Sequence, residues 1–350
     1  MAVYINGIGT LSAQPPWNKE EVISVAKAYS GDKVSCVEPD YSQYLDVRQL
    51  RRMSRIIKMG MAAGIDALKE ANLKVLDGII TGTSYGCLED TGIFLSKMIE
   101  NKENALNPTP FIQSTHNTIG SQIALMLQCQ GYNQTYTQSG FSFENALVDA
   151  IMSIAENENQ SILTGAIDEI TLTSHNILRR FNMFRSVTNS LALFEIKGKG
   201  TIQGEGAAYF VLSGVAGADA VELATVNMLF QPTVDALREG IITCVDSTQV
   251  TMEDIDLVIV GKSGDTELDV LTDGLTSELF GKSTIARFKH LTGEFPTSSA
   301  LAMALACRIV QAQRIPDVIV ERDRQRSPKN VLIYNPYFGA YHSLIMLKSC

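Results

Sequence analysis

Short runs of β-branched and aliphatic residues recur along the whole 350-residue chain, and stretches with apolar residues at helical spacing lie between them. A strand that returns parallel to its predecessor needs a crossover of a dozen or more residues, usually a helix. The alternation therefore predicts strand-helix-strand units and a mostly parallel sheet covered on both faces. The predicted strands are residues 3–8, 78–82, 134–137, 161–165 and 207–212, then 220–226, 257–260, 284–288, 331–334 and 343–347. Residues 50–70 carry Met53, Ile56, Ile57, Met59, Ile65 and Leu68 at helical spacing, and residues 298–313 carry Leu301, Leu305, Ile309 and Val310 in the same way. Five strands precede the segment SGVAGADA and five follow it, which predicts two pseudo-symmetric halves, 1–215 and 216–350.

Hydrophobic residues are 45% of the chain and charged ones 19%, below the usual share of about 25%, so much of the surface should be interior or interface and disorder is excluded. With 29 Lys and Arg against 38 Asp and Glu, the net charge of -9 has the wrong sign for a phosphate backbone, which excludes nucleic acid as an expected partner. Six cysteines (Cys36, Cys87, Cys129, Cys244, Cys307, Cys350) are scattered without a CxxC pair, so neither a disulfide framework nor a metal site is suggested, and reduced thiols are expected. The N-terminus lacks a basic stretch followed by a long apolar run, and no apolar run approaches the 18 or so residues of a membrane span. A cytoplasmic protein without membrane insertion is expected. The polar stretches 101–110 and 323–330 read as solvated connections.

Seven segments, in order, resemble those of the β-ketoacyl synthases of the thiolase superfamily. They are VYINGIG, RRMSRIIKMGMAAGIDALKEANL, GIITGTSYG, FIQSTHNTIGSQIA, SILTGAIDE, GEGAAYFVL and NPYFGAYHS, and together they span nearly the whole chain. The resemblance implies a five-layered αβαβα thiolase-like fold, usually dimeric, working on acyl chains held as thioesters on acyl carrier protein, with no metal or diffusible cofactor. It also implies a catalytic cysteine, whose low-pKa sulfur both attacks and leaves, and two histidines that stabilise the enolate formed when malonyl thioester loses carbon dioxide.

None of the three stands where the family has it. The nucleophile motif, like TACASG, corresponds to TYTQSGFSF, which places Gly140 at the cysteine position, or Gln138 if a small gap is allowed; Cys129 lies on the preceding segment and reads as a core residue. The motif like HGTGTxxxD corresponds to GKSGDTELD, with Gly261 for the first histidine while Gly264 and Asp269 keep the frame. The motif like KxxxGH corresponds to KHLTGE, with Lys289 and Gly293 retained and Glu294 for the second histidine. An ionised carboxylate only accepts hydrogen bonds, so Glu294 would repel an enolate oxygen. Losing one oxyanion donor typically costs about 10² to 10³ in rate, and here both are gone together with the sulfur.

What remains is scaffold, including Gly204, Glu205 and Gly206, with Asn117, Phe338 and Gly339 as the residues the resemblance assigns to substrate binding. Replacement chemistry would have to come from Ser139, Ser142, Thr137 or Thr135 near the nucleophile turn, served by His116, His175, His290 or His342; Ser139 and His342 are the leading pair, since His342 falls in the glycine-rich turn. The resemblance thus points first to a non-catalytic, chain-length-factor-like subunit of fatty acid or polyketide biosynthesis, paired as a heterodimer with a Cys-bearing ketosynthase. Its rivals are a divergent acyltransferase or thioesterase with a hydroxyl nucleophile, and a homodimeric acyl-binding protein without catalysis.

Overall fold

The computed structural model describes residues 2–20, 22–23 and 25–350. In chain order the strands are β1 (Tyr4–Leu11), β2 (Gly78–Gly82), β3 (Tyr132–Tyr136), β4 (Ser161–Asp168), β5 (Gly206–Ser213), β6 (Val221–Phe230), β7 (Leu257–Val260), β8 (Thr284–Arg287), β9 (Val320–Arg322), β10 (Asn330–Tyr337) and β11 (Tyr341–Ser349). They run side by side as β3-β2-β4-β5-β1-β6-β11-β10-β7-β8-β9. Read outward from the β1/β6 seam, the order in the first half (β1, β5, β4, β2, β3) matches that in the second (β6, β11, β10, β7, β8). The pairing sense repeats as well: β2 lies parallel to β3 and β4, as β7 lies parallel to β8 and β10, while β5 and β11 run antiparallel to both neighbours. Two pairs at the seam, Tyr4 with Glu222 and Ile5 with Val221, join the halves.

The helices are α1 (Val47–Leu50), α2 (Arg55–Glu70), α3 (Leu88–Glu100), α4 (Pro108–Gln113), α5 (Thr118–Leu127), α6 (Ser142–Glu156), α7 (Leu172–Arg180), α8 (Val234–Asp246), α9 (Asp269–Leu279), α10 (Lys289–Thr292) and α11 (Ser298–Ala312). Because successive strand residues point to opposite faces, each strand feeds two cores. Leu163, Ile167, Tyr209 and Val211 pack outward against α2 and α5, whereas Ile162, Ala166, Phe210 and Leu212 pack inward against α6 and α11. In the second half Val258, Leu332 and Leu344 pack outward against α8 and α9, and Leu257, Val331 and Ile345 pack inward on the same α6–α11 layer. This makes five layers, helix, sheet, helix, sheet, helix. Two-sided burial explains why these strands read as continuous apolar runs, and each fully buried Leu, Ile or Val contributes about 1.5–3 kcal/mol. Gly9 lets α2 settle directly on β1: a Cβ there would lie 1.9 Å from the Ala63 carbonyl oxygen.

Several expectations need correction. The helix read over 50–70 is two, because the chain turns at residues 51–54 and restarts with Ser54 as the N-cap of α2. The strand read at 134–137 is Tyr132–Tyr136, since the Tyr132 N–H already joins the ladder through the Asp77 carbonyl. Phe288 leaves β8 to cap α10. An eleventh strand, β9, was not anticipated; three residues are too few for a periodic signal. The 323–330 connection is mostly exposed, as expected, and Arg324 and Arg326 also donate to the carbonyls of Gly281, Glu253 and Ile255, tying it to the neighbouring loops.

Candidate functional site

The third strand of the first half ends in a tight turn that feeds α6. Gln138 precedes it, Ser139 to Phe141 form one 3₁₀ turn, and α6 starts at Ser142. Ser139 has φ +50°, in the left-handed region that a non-glycine residue rarely occupies. The strained position at the strand-to-helix corner is therefore Ser139, between the two registers that the sequence left open. Ser142 locks the corner: its hydroxyl accepts from the Gln138 N–H and donates to the Ser139 carbonyl, both at 2.9 Å. The Gln138 side chain is exposed and its Oε1 accepts from Asn145 Nδ2 at 2.8 Å. Gly140 is buried under the β10–β11 hairpin, where an added Cβ would lie 2.9 Å from Tyr337 Cδ1 and from Tyr341 Cβ and Cγ. A cysteine at Gly140 has no room.

The space in front of the corner is filled with rings. Tyr341 lies 5.0 Å from both Phe141 and Phe230, and Tyr337 lies 4.8 Å from Phe338, centroid to centroid. Phe338 (φ +45°) and Gly339 (φ +65°) make the hairpin tip between them. Burial raises the Tyr337 hydroxyl pKa well above the usual phenol value, and the nearby Tyr85 raises it further. Tyr85 is held in turn by Asp168, which accepts from the N–H groups of Ser84 and Tyr85 at 2.9 Å and from Thr83 and Thr297 hydroxyls at 3.1 and 2.9 Å. Burial pushes the Asp168 carboxyl up to about 6 against those four donors.

The two positions expected for histidines are closed by different means. At Gly261 an added Cβ would stand 2.1 Å from Asn335 Oδ1 and 3.0 Å from Asn335 Cα, so the fully buried Asn335 occupies that side chain's volume. Glu294 and Lys289 form an ion pair of 2.7 Å with both side chains 0% exposed, and Lys289 Nζ also donates to the Pro336 carbonyl at 3.1 Å. Burial pushes the Glu294 carboxyl up to about 7, opposed by Lys289. At the two positions where the resemblance expects histidines stand a backbone glycine and a carboxyl committed to its lysine.

The imidazoles do not converge on the corner. His342, expected near the pocket, lies on the opposite face of β11 from Tyr341: it stacks on Tyr334, meets the Tyr334 hydroxyl at 3.0 Å through Nδ1 and the Gly339 carbonyl at 3.2 Å through Nε2. His290 reaches the Val318 carbonyl at 3.0 Å, with burial pushing its pKa down to about 4. His175 sits between Gln203 and Asp32. His116 lies against the Gly86 turn. Asn117 is exposed at the start of α5. Among the described residues no group of three or more His, Cys, Asp or Glu is placed to hold a metal. Tyr337, Tyr341 and Asn335 were missed from sequence; the signal was present as two tyrosines in a turn that the resemblance makes glycine-rich.

Two repeated halves packed on a shared helical layer, with the site between the third strand of one half and the hairpin of the other, define a thiolase-like α/β protein. The N-terminal domain of beta-ketoacyl synthase matches residues 6–217, more than half of the chain, and the chain belongs to that family. No curated protein matches it by sequence. Among solved structures it resembles the ishigamide ketosynthase/chain length factor (TM-score 0.83, 17% identity, 100% of this chain and 99% of that one). It also resembles a beta-ketoacyl synthase from Burkholderia phymatum STM815 (0.82, 16%, 100% and 99%). A third is the ketosynthase in complex with its chain length factor from Xenorhabdus doucetiae (0.80, 14%, 100% and 98%). At these identities the likeness concerns the fold.

Proposed function

We propose that this chain is a non-catalytic, chain-length-factor-like subunit that pairs with a Cys-bearing β-ketoacyl synthase acting on carrier-protein thioesters in fatty acid or polyketide biosynthesis. The observation that carries the reading is the packing of Tyr337 and Tyr341 onto Gly140, which fills the place where an acyl-enzyme would form. Asn335 filling the space beside Gly261 and the Lys289–Glu294 pair support it, because neither place carries an imidazole to stabilise an enolate oxygen.

Strand β3 supports the pairing. It ends the sheet, and the Asn133 and Thr135 N–H groups face away from β2, since the Tyr132 N–H points to the Asp77 carbonyl on the β2 side. An uncovered edge is a template for another strand. The flanking helices α5 and α6 leave Leu125 70% and Met152 61% exposed, and Tyr132 of β3 is 47% exposed. A homodimer through the same edge is the competing assembly. Phe338 and Gly339 at the hairpin tip, and Asn117, are the candidates for contact with cargo. No helix among the described residues is long and apolar enough to cross a membrane, which agrees with a cytoplasmic role beside soluble carrier proteins.

Co-expression with a Cys-bearing ketosynthase should give a one-to-one complex. The pure chain mixed with malonyl carrier protein should release no carbon dioxide and gain no acyl mass. An acyl adduct on Ser139 would instead establish the hydroxyl-nucleophile reading, which the four imidazoles, each placed elsewhere, do not favour.

A further inference from the structure

At the opposite ends of the strands from the filled corner, the two halves enclose a pocket of about 750 Å³ along their seam. Ser161, which begins β4, lines it, whereas Asp168 beside the corner ends that strand, roughly 23 Å away at about 3.3 Å per residue. Small-molecule sites typically measure about 300–1,000 Å³. One wall is the linker between the halves, which Asn6 of β1 holds in place: its Nδ2 donates to the Val215 carbonyl at 2.9 Å and its Oδ1 accepts from the Gly217 N–H at 2.8 Å. The pocket is thus formed before any ligand arrives. Its apolar side chains are only Ala71, Val215, Ala216 and Ala218, with no aromatic ring among the described residues, so a hydrocarbon would bury little surface there.

What the pocket offers instead is charge and hydrogen bonding. Three carboxylates (Glu20, Glu70, Asp219) face two cations (Lys19, Arg308). Lys19 pairs with Asp219 at 2.6 Å and the buried Arg308 with Glu70 at 2.6 Å, so Glu20 is left with no ion-pair partner among the described residues. Helix α2 ends at Glu70, and the negative end of its dipole adds to the same potential. Ser213 is 5% exposed and accepts from the Val215 N–H at 3.3 Å, but its own hydroxyl proton has no acceptor among the described residues. The Ser161 hydroxyl and the Asn159 side-chain amide, also in the wall, make no hydrogen bond among those residues. We propose that the seam pocket binds a small hydroxylated amine, with its ammonium at Glu20 and the end of α2 and its hydroxyls at Ser213, Ser161 and Asn159. An ammonium only donates, which suits an unpaired carboxylate and helix-end carbonyls, while hydroxyls both donate and accept, which suits serines and an amide. The pocket shares no residue with the corner, so the inference goes beyond the proposed function and stands apart from it.

The test is calorimetric titration of the full chain at about pH 6.5, where an amine is charged, with three ring-shaped probes: glucosamine, glucose and cyclohexylamine. Glucosamine should bind saturably, glucose about tenfold more weakly for want of the ammonium, and cyclohexylamine about tenfold more weakly for want of the hydroxyls. Glu20→Gln should weaken glucosamine binding about fivefold and leave glucose unchanged. Asn159→Ala should weaken both sugars. Neither substitution should lower the melting temperature, because both positions are exposed. Glu239→Gln, the same change at an exposed position of α8, should leave all three probes unaffected. No saturable glucosamine binding, equal affinity for the three probes, or glucosamine binding indifferent to Glu20→Gln would overturn the inference.

Discussion

The two halves share one strand order and differ at their edges. Strand β8 of the second half is covered by β9, whose Glu321 pairs with the buried Lys262 at 2.9 Å, whereas its counterpart β3 is open. The corners after these strands differ too: the one after β3 is packed with tyrosines, and the one after β8 holds a buried ion pair. The central helices each begin beside a buried glutamate. Glu294, before α11, has Lys289, while Glu144, in the first turn of α6, has only the Ser299 and Ser343 hydroxyls nearby. The repeated strand order sets the scaffold, and the differences lie at edges and corners, where side chains meet something other than their own half.

The difference at the corners should show most strongly in the charge pair. Lys289→Met should cost about 3–5 kcal/mol by urea denaturation, because an uncompensated buried carboxylate remains, while Lys289→Met with Glu294→Leu should be near neutral. An equally large loss in the double variant would mean that the pair does more than neutralise itself.

Glu144 sharpens the contrast through pH. Burial pushes its carboxyl from the ordinary 4.5 up to about 7. Between those values the folded chain holds a proton that the unfolded chain releases, so stability falls as pH rises through the window and is flat above it. The raised carboxyls of Asp168 and Glu169 slope the same way. Glu144→Gln should therefore stabilise the chain at pH 8 by up to about 3 kcal/mol relative to pH 4. A difference between the two proteins that stays constant from pH 4 to 8 would contradict this.

Gly261→Ala should cost about 2 kcal/mol through overpacking on Asn335, with a smaller cost in an Asn335→Ala background, as a double-mutant cycle would reveal. At the open edge, Thr135→Pro removes an outward N–H without touching the β2 ladder. It should weaken association with a ketosynthase at least tenfold, about 1.4 kcal/mol, while folding is little affected. Undiminished association would move the interface away from β3.

Much of the architecture was legible. Strands buried on both faces announce themselves as apolar runs, and all ten anticipated strands lie where expected to within a few residues, with β3 beginning two residues earlier than its polar sequence suggested. The residues at the positions to which the resemblance points, Gly140 or Gln138, Gly261 and Glu294, carry neither sulfur nor imidazole. The nucleophile corner was less legible: no local pattern distinguishes Gln138, Ser139 and Gly140, since the strained backbone is imposed by β3, α6 and the hairpin together. His342 was misplaced for a similar reason, because a one-residue change of strand register reverses the face a side chain points to.

Composition and order along the chain thus determined the repeated sheet-and-helix plan and the identity of the residues at its corners, since burial periodicity and residue identity are written locally. Only the folded arrangement decided that Tyr337, Tyr341 and Asn335, more than 70 residues away from the glycines they cover, would occupy the emptied positions. Such contacts depend on how two halves pack, and packing at a shared interface leaves no periodic trace in either one.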